Sequence, residues 1–254
     1  MLTAITRTVS QSLGNCELTW LAREPIDVAL AQSQHREYER CLAALGARVV
    51  SLPALEEHPD AVFVEDPALV LDEVAVITTL GCQSRRGERA SLAEALATFR
   101  PVVWMQDPAR LEGGDVMRIG KDLFVGLSER TDMAGVRHLA EVLRPFGYRV
   151  SPVELRGCLH LKSACSYVGD DGILINRGLL DSESLRGYRL IDVAASEPAA
   201  ANALRVGGTV VLHSAYPATA ALLHDAGFHV CAVNVTELLK AESGVTCSSL
   251  LFEA

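Results

Sequence analysis

The sequence has no uninterrupted apolar stretch approaching the ~20 residues that a membrane-spanning helix requires, so we expect no membrane span and no membrane partner. It has no Lys/Arg-rich stretch with interleaved aromatic residues, and its 32 acidic residues outnumber its 23 basic ones. The resulting net charge of −9 argues against a nucleic-acid partner. The N-terminal segment has no basic region followed by a long apolar run, so we expect no secretory signal.

Cys-x-x-Cys pairs are absent too. The seven cysteines, an odd number, lie at positions 16, 41, 82, 158, 165, 231 and 247. This pattern argues against a disulfide framework and against a structural zinc site. Reduced thiols fit the cytoplasm, so we expect a cytoplasmic protein whose thiols are mostly small core residues, with room for one reactive thiol.

What is present is an ordinary globular composition. Hydrophobic residues make up 49% and charged residues 22% of the 254 residues, and no linker stands out. A chain of this length can bury a core large enough to fold alone. We therefore predict a single domain over residues 1–254.

A repeated unit runs through the chain. The spacing predicts a helix over 27–45, followed by Gly46 as a C-terminal cap and by a short buried strand. The residues expected on its buried face are Val28, Ala31, His35, Tyr38, Leu42 and Leu45. The order of a helix or short segment, a glycine and a short strand recurs at Gly147, Gly187 and Gly227. A degenerate copy of this order contains Leu92, Leu96 and Phe99.

Two short apolar runs precede each helix, as at 61–64 with 74–78, so one unit reads strand–strand–helix–strand. Unit openings fall near positions 62, 113, 159, 200 and 244. The last unit ends with the chain, and the N-terminal segment supplies its missing helix and strand. Five units closing through both termini predict a ring without free sheet edges.

The unit openings carry polar residues that invite two explanations. Asp60, Glu65 and Asp66 suit a bound cation or a solvated turn; the glycines after Glu112 suit close backbone approach or a simple turn. His160 is a catalyst or a core histidine, and Cys247 is a nucleophile or an inert buried thiol. A ring would bring all of these unit-opening residues to one end of its central axis. Thiol, imidazole and carboxylate together serve thiolate attack with proton transfer, and the additional carboxylates indicate a cationic electrophile.

These segments together resemble the dimethylarginine dimethylaminohydrolase family of the guanidino-group modifying (pentein) superfamily. The matching segments occur in family order at 60–67, 84–88, 112–116, 124–131, 159–163, 200–202 and 244–250. The resemblance implies an α/β fold, a five-bladed pseudo-symmetric propeller of ββαβ units, which agrees with the repeat.

The resemblance also assigns roles. Cys247 becomes the nucleophile, His160 the general acid and base, and Glu112 the partner of His160 or of the guanidinium. Substrate-binding roles fall on Asp66 and Glu65 near the guanidinium, on Asp60 for the α-amino group, on Arg85 and Arg130 for the α-carboxylate, and on Leu18 in a mobile lid. No metal or organic cofactor is implied.

The implied reaction is hydrolysis of Nω-methylated arginines to citrulline and methylamines through an S-alkylthiouronium intermediate. The partner is then a small guanidino substrate, and a homodimer is left open as the oligomeric state. One alternative keeps the catalytic residues but uses another guanidino or ureido compound, such as arginine or citrulline. A second alternative is a non-catalytic pentein resembling the ribosome anti-association factor, which would not need Cys247, His160 and Glu112 together.

Overall fold

The computed structural model describes residues 1–254 and contains five three-stranded sheets. In every sheet the central strand pairs antiparallel with one neighbour and parallel with the other. The parallel pair is always joined by a crossover containing a helix or a 3-10 turn. The repeated ββαβ unit predicted from the sequence is confirmed.

The secondary structure follows the five units in chain order. The strands are β1 (Leu2–Arg7), β2 (Arg48–Leu52), β3 (Ala68–Val70), β4 (Ala75–Ile77), β5 (Val102–Trp104), β6 (Val116–Ile119), β7 (Asp122–Leu127), β8 (Arg149–Glu154), β9 (Cys165–Gly169), β10 (Gly172–Ile175), β11 (Arg189–Asp192), β12 (Leu204–Val206), β13 (Thr209–His213), β14 (His229–Val233) and β15 (Leu250–Glu253). The helices are α1 (Val28–Ala44), α2 (Arg89–Leu96), α3 (Met133–Leu143), α4 (Leu161–Ala164), α5 (Pro217–Asp225) and α6 (Thr236–Leu239). None of these helices is both long and apolar enough to cross a membrane.

Helix α1 shows how the local sequence sets an element and aims it at the centre of the ring. The Asp27 carboxylate accepts the Leu30 N–H at 3.0 Å and caps the helix, and Gly46 ends it with φ +93°. The Tyr38 hydroxyl is fully buried and contacts the Val245 carbonyl and the Ser249 hydroxyl, each at 2.7 Å. The helix therefore anchors the turn that carries Cys247.

Both termini build the sheet that closes the ring. Strand β15 pairs antiparallel with β1, from Leu2 opposite Glu253 to Ile5 opposite Leu250, and β1 pairs parallel with β2. The N-terminal segment thus supplies a strand in addition to the helix and strand expected from the repeat. The apolar core is divided among five clusters, of which the largest contains 17 buried residues.

One predicted strand is wrong. The apolar run 61–64 belongs largely to a 3-10 turn, Pro59–Val62, and the first strand of this unit is Ala68–Val70 instead. Pro59 starts the turn with its fixed φ, and the run is buried at every position, so it carries no alternation that would separate strand from turn. Asp60 therefore lies in this 3-10 turn, and Glu65 and Asp66 lie in the turn between it and the strand Ala68–Val70.

Candidate active site

Residues predicted for catalysis and for substrate binding come from different units and meet at one cavity. Asp66 precedes β3, His160 lies at the N-cap position of the short helix before β9, and Cys247 lies in the turn before β15. All three line a small cavity of about 20 Å³. Glu112, which precedes β6, reaches the same place through a hydrogen bond to His160. The structure therefore brings together the residues that the sequence analysis assigned to catalysis.

The Glu112–His160 pair is the most strongly fixed part of the site. Glu112 is fully buried, and its Oε2 lies 2.8 Å from His160 Nε2. Its other oxygen accepts the N–H of Gly81 at 3.0 Å, and its own N–H donates to Thr131 Oγ1 at 3.0 Å. With both carboxylate oxygens engaged, the orientation of the imidazole is set by the backbone around Glu112.

The electrostatics of this pair favour an imidazolium. Burial alone would lower the pKa of His160, but the charges of Asp66 and Asp115 and the contact with Glu112 outweigh it and raise the pKa to about 9. Burial would raise the pKa of Glu112, yet the hydrogen bond and charge of His160 hold it below its usual range. At neutral pH the pair is thus imidazolium and carboxylate, and His160 has a proton to give.

Asp66 faces the other ring nitrogen of His160. The distance from Asp66 Oδ1 to His160 Nδ1 is 3.9 Å, and the same oxygen accepts the Gly114 N–H at 3.2 Å. A Cβ at Gly114 would lie 2.7 Å from both of these atoms. Only glycine allows the backbone to pass this close, which accounts for part of the Gly-Gly motif noted in the sequence.

Hydrogen bonds fix the turn that carries Cys247 from two sides. The Gly244 N–H points at the sulfur, with a nitrogen–sulfur distance of 3.2 Å. The neighbouring Thr246 hydroxyl donates to Glu65 at 2.6 Å, and its N–H donates to Asn202 at 3.1 Å. Cys247 itself is half-buried and opens onto the cavity, so the position of a nucleophile here is defined before any substrate arrives.

The surroundings of Cys247 disfavour a resting thiolate. Burial and the negative charges of Glu65 and Asp66 raise the pKa of the Cys247 thiol, and the Gly244 N–H offsets only part of this. A cation placed on these carboxylates would reverse the balance. The free site therefore holds a thiol that a positively charged ligand is suited to ionise.

The residues predicted to bind the substrate lie in or beside the site, but several are already engaged. Arg85 lines the small cavity, and its donors contact Asp66 at 2.7 Å, Glu88 at 3.0 Å and two backbone carbonyls. Arg130 also lines the cavity, and its Nη1 lies 3.6 Å from Glu112 Oε1. Of the two arginines, Arg130 is the less saturated by protein acceptors.

Of the remaining predicted binding residues, Asp60 lines the small cavity, whereas Glu65 and Leu18 do not. Both oxygens of Asp60 accept the Glu17 N–H, at 3.1 and 3.3 Å. Glu65 has its two oxygens on Lys162 and Thr246, each at 2.6 Å, so it holds the Cys247 turn. Leu18 is half-buried against the largest apolar cluster and does not line the cavity.

Glu242 holds the segment 19–21, part of which lines a larger cavity that also contains Cys247 and His160. Its carboxylate accepts the backbone N–H groups of Thr19, Trp20 and Leu21, with the first contact at 2.8 Å. Arg130 adds a hydrogen bond to the Thr19 hydroxyl at 2.9 Å. We call residues 19–23 the lid, because displacement of Trp20 and Leu21 would widen access to Cys247 and His160.

Replacing Glu242 with alanine is expected to loosen the lid. Three backbone N–H groups would lose a charged acceptor, which should raise the open population by roughly 10- to 100-fold. Limited trypsin digestion at Arg23, which lies in the lid, should accelerate by a similar factor. Glu141→Ala, an exposed change on α3, is the matched control, and equal cleavage rates for the two variants would contradict the latch.

A larger cavity of about 370 Å³ lies beside the small one and shares Cys247 and His160 with it. Its wall includes Glu65 and Lys162, which also line a cavity of about 460 Å³ that contains neither Cys247 nor His160. The Lys162–Glu65 ion pair, 2.6 Å long, therefore stands between the site and that third space.

Asp66, Glu112 and His160 could also offer ligands to a metal ion, since one donor atom of each lies within 4.8 Å of the others. The hydrogen bond between Glu112 Oε2 and His160 Nε2 already occupies one potential ligand atom of each of these two residues. The two carboxylates also match a guanidinium, because carboxylates bind its N–H donors in one plane.

Sequence reasoning missed several supporting residues. Asp115 is fully buried and accepts hydrogen bonds from the Leu161 N–H at 2.9 Å and from the Ser128 hydroxyl at 2.7 Å. Its negative charge helps to raise the pKa of His160. Its position directly after the Gly-Gly pair was the available signal. Nothing in the sequence pattern distinguished Glu242 or Lys162 from surface charges.

A ring of five ββαβ units with a thiol, an imidazole and buried carboxylates at its axis defines a pentein of the guanidino-group modifying class. The profile of the arginine deiminase family matches residues 53–205. The dimethylarginine dimethylaminohydrolase of Streptomyces coelicolor is 37% identical over 97% of this chain and 95% of its own length. That of Pseudomonas aeruginosa is 34% identical over 89% and 90%. The chain belongs to the dimethylarginine dimethylaminohydrolase family.

The solved structure of a variant of the Pseudomonas aeruginosa protein, with cysteine changed to serine and citrulline bound, superimposes with a TM-score of 0.94. It is 33% identical and covers 99% of this chain and 100% of its own. The predicted five-bladed pentein fold is confirmed.

Proposed function

We propose that this protein hydrolyses Nω-methylated arginines to citrulline and methylamine or dimethylamine. The observation that carries the proposal is the placement of two buried carboxylates, Asp66 and Glu112, on either side of His160 at the cavity that Cys247 lines. Such a site needs a planar cation with several N–H donors, and a guanidinium is one. The bound citrulline of the Pseudomonas aeruginosa relative supports the same product.

Substrate binding would prepare both reacting partners. A guanidinium held by Asp66 and Glu112 has its plane fixed and its carbon presented to the sulfur. Its charge offsets the carboxylates that raise the pKa of the Cys247 thiol, so the thiol releases its proton to solvent in the complex while His160 stays protonated. Ionisation in the complex confines the reactive thiolate to the occupied site.

The reaction then proceeds in two steps. The Cys247 sulfur bonds to the guanidinium carbon, and the His160 imidazolium gives its proton to the substituted nitrogen as the C–N bond breaks. The amine leaves, and the carbon remains bound to sulfur as an S-alkylthiouronium. Neutral His160 takes a proton from water, the hydroxide adds to the carbon, and collapse breaks the C–S bond to release citrulline.

The test is a substrate panel of dimethylarginine, monomethylarginine, arginine, agmatine and citrulline, with both the ureido product and the released amine identified. Methylated arginines should give citrulline and the matching methylamine with the highest kcat/KM. Ammonia release from arginine as the fastest reaction would assign the protein to deimination instead. No ureido product from any compound would favour a non-catalytic pentein.

The α-carboxylate should contribute strongly to substrate choice. We expect agmatine, which lacks it, to have a kcat/KM roughly 30- to 1000-fold below that of dimethylarginine, the value of one charge-assisted contact. The sequence analysis named Arg85 and Arg130 for this contact. Because Arg85 is saturated by Asp66 and Glu88, Arg130→Ala should erase most of the discrimination. Comparable kcat/KM values for agmatine and dimethylarginine in the unaltered protein would contradict a carboxylate clamp.

The free state of all seven cysteines is consistent with the proposed cytoplasmic location, where thiols are kept reduced. In that setting the enzyme would take part in arginine metabolism by returning citrulline from modified arginine.

A further inference from the structure

Two cysteines far from the active site lie in contact with each other. Cys41, near the end of α1, and Cys231, in the middle of β14, have their sulfur atoms 3.2 Å apart although 190 residues separate them in the chain. Both side chains are partly exposed. Neither residue lines the catalytic cavities.

The other cysteines have no such partner. The sulfur atoms of Cys82 and Cys247 contact a hydroxyl and a backbone N–H, those of Cys16 and Cys158 contact an arginine and carbonyl oxygens, and that of Cys165 contacts a methionine sulfur. The chain therefore contains a single pair of touching thiols.

We propose that Cys41 and Cys231 form a redox-active dithiol that closes to a disulfide and staples α1 to β14. Helix α1 connects β1 to β2 in the sheet built from both termini, and β14 lies in a different sheet with β12 and β13. Closing the bond to its standard length of about 2.05 Å requires the sulfurs to approach by roughly 1 Å. The two segments are already joined beside the pair, since Gln34 donates to Asn234 at 3.3 Å and accepts the Glu237 N–H at 2.9 Å.

The oxidant is a low-molecular-weight disulfide such as oxidised glutathione. One protein thiolate attacks it, forms a mixed disulfide and releases one glutathione thiolate. The second protein thiol loses its proton and attacks the protein sulfur of that mixed disulfide, which releases the second glutathione. Two protein thiols are oxidised while one small disulfide is reduced to two thiols, and a thiol reductant reverses the exchange.

The surroundings of the pair affect the rate of this exchange. Burial and the adjacent Cys231 raise the pKa of Cys41 to about 12, so its thiolate is scarce at neutral pH. The exchange should therefore accelerate at mildly alkaline pH.

The expected consequence is stabilisation. A cross-link between residues 41 and 231 restricts the unfolded chain over most of its length, which should raise the Tm by about 5–10 °C.

The test incubates the full-length protein with oxidised glutathione at mildly alkaline pH and blocks the remaining thiols before analysis. We expect a disulfide joining the tryptic peptides 41–48 and 206–240, an intact mass lower by two hydrogens in a sample left unblocked, and the rise in Tm. Cys41→Ser should lose all three signals. Cys82→Ser, which removes another partly exposed thiol, should keep them.

Two outcomes would overturn the inference. Stable glutathione adducts on Cys41 or Cys231 without a bond between them would show that the pair cannot close. An unchanged or lower Tm in the cross-linked protein would refute the staple. Neither readout depends on turnover, so the result stands apart from the proposed enzymatic activity.

Discussion

Cys247→Ser should lower turnover of methylated arginines by more than about 10³-fold, because no other group in the cavity can form the covalent intermediate. A serine hydroxyl is far harder to ionise than a thiol, and a bound guanidinium lowers a pKa by only a few units. The measurement is citrulline formation at saturating substrate. Unaltered far-UV circular dichroism and Tm would confirm that the fold is intact.

Alkylation of the unaltered protein tests the ionisation state of Cys247 in the free enzyme. Since burial and nearby carboxylates raise the pKa of the Cys247 thiol, alkylation of this residue by iodoacetamide should be slow at neutral pH and rise about tenfold per pH unit. Peptide mapping identifies the alkylated residue, and substrate should protect it. Rapid, pH-independent alkylation of Cys247 would indicate a resting thiolate, and full activity after its alkylation would eliminate the proposed nucleophile.

The repeat could be read from sequence because it rests on local rules. Gly46, Gly147, Gly187 and Gly227 all have positive φ, as expected for glycines that end a helix or turn before a strand. Helix 27–45 was placed within one residue of α1, since Asp27 and Gly46 mark its ends. Prediction failed at 61–64, where a run that is buried on every side has no periodicity to distinguish turn from strand.

The clustering of the predicted site residues was foreseeable for a different reason. Asp66, Glu112, His160 and Cys247 each open a unit, and a ring sends unit openings to one axis. The contacts that tune the set were not foreseeable, because they join distant segments without a periodic signal. Glu242, for example, holds Thr19, which lies 223 positions away in the chain. Gly81 likewise accommodates the backbone of Arg130, where a Cβ would come within 2.6 Å of the carbonyl oxygen.

Arg85 illustrates the same limit of sequence reasoning. By sequence it matches the carboxylate-binding position of the family, yet in the closed structure its guanidinium neutralises Asp66 and Glu88 in the buried wall of the site. Burial raises the pKa of Glu88 to about 7 despite the adjacent Arg85. Removing Arg85 would leave these carboxylates without their cation, so its loss would impair the site as a whole as well as any substrate contact.

The pH dependence of the reaction should report on His160. Its pKa is raised to about 9, so the imidazolium that protonates the leaving amine is present below that pH and is lost as the pH rises through about 9. A descending limb in kcat/KM is therefore expected there. Glu112→Gln removes a negative partner and should move this limb to lower pH, whereas an unshifted limb would assign it to another group.

His160→Gly should lower kcat by roughly 10²–10⁴, the usual contribution of a positioned acid–base group, with a smaller change in KM because the carboxylates that hold the guanidinium remain. The descending limb near pH 9 should vanish with the imidazole. Loss of the group that activates water should also let the thiouronium accumulate on Cys247, where intact-mass measurement during turnover would detect it. Added imidazole should restore part of the rate by entering the space left by the side chain, which a purely structural defect would not allow. A variant with nearly normal kcat and an unchanged pH profile would remove His160 from the catalytic machinery.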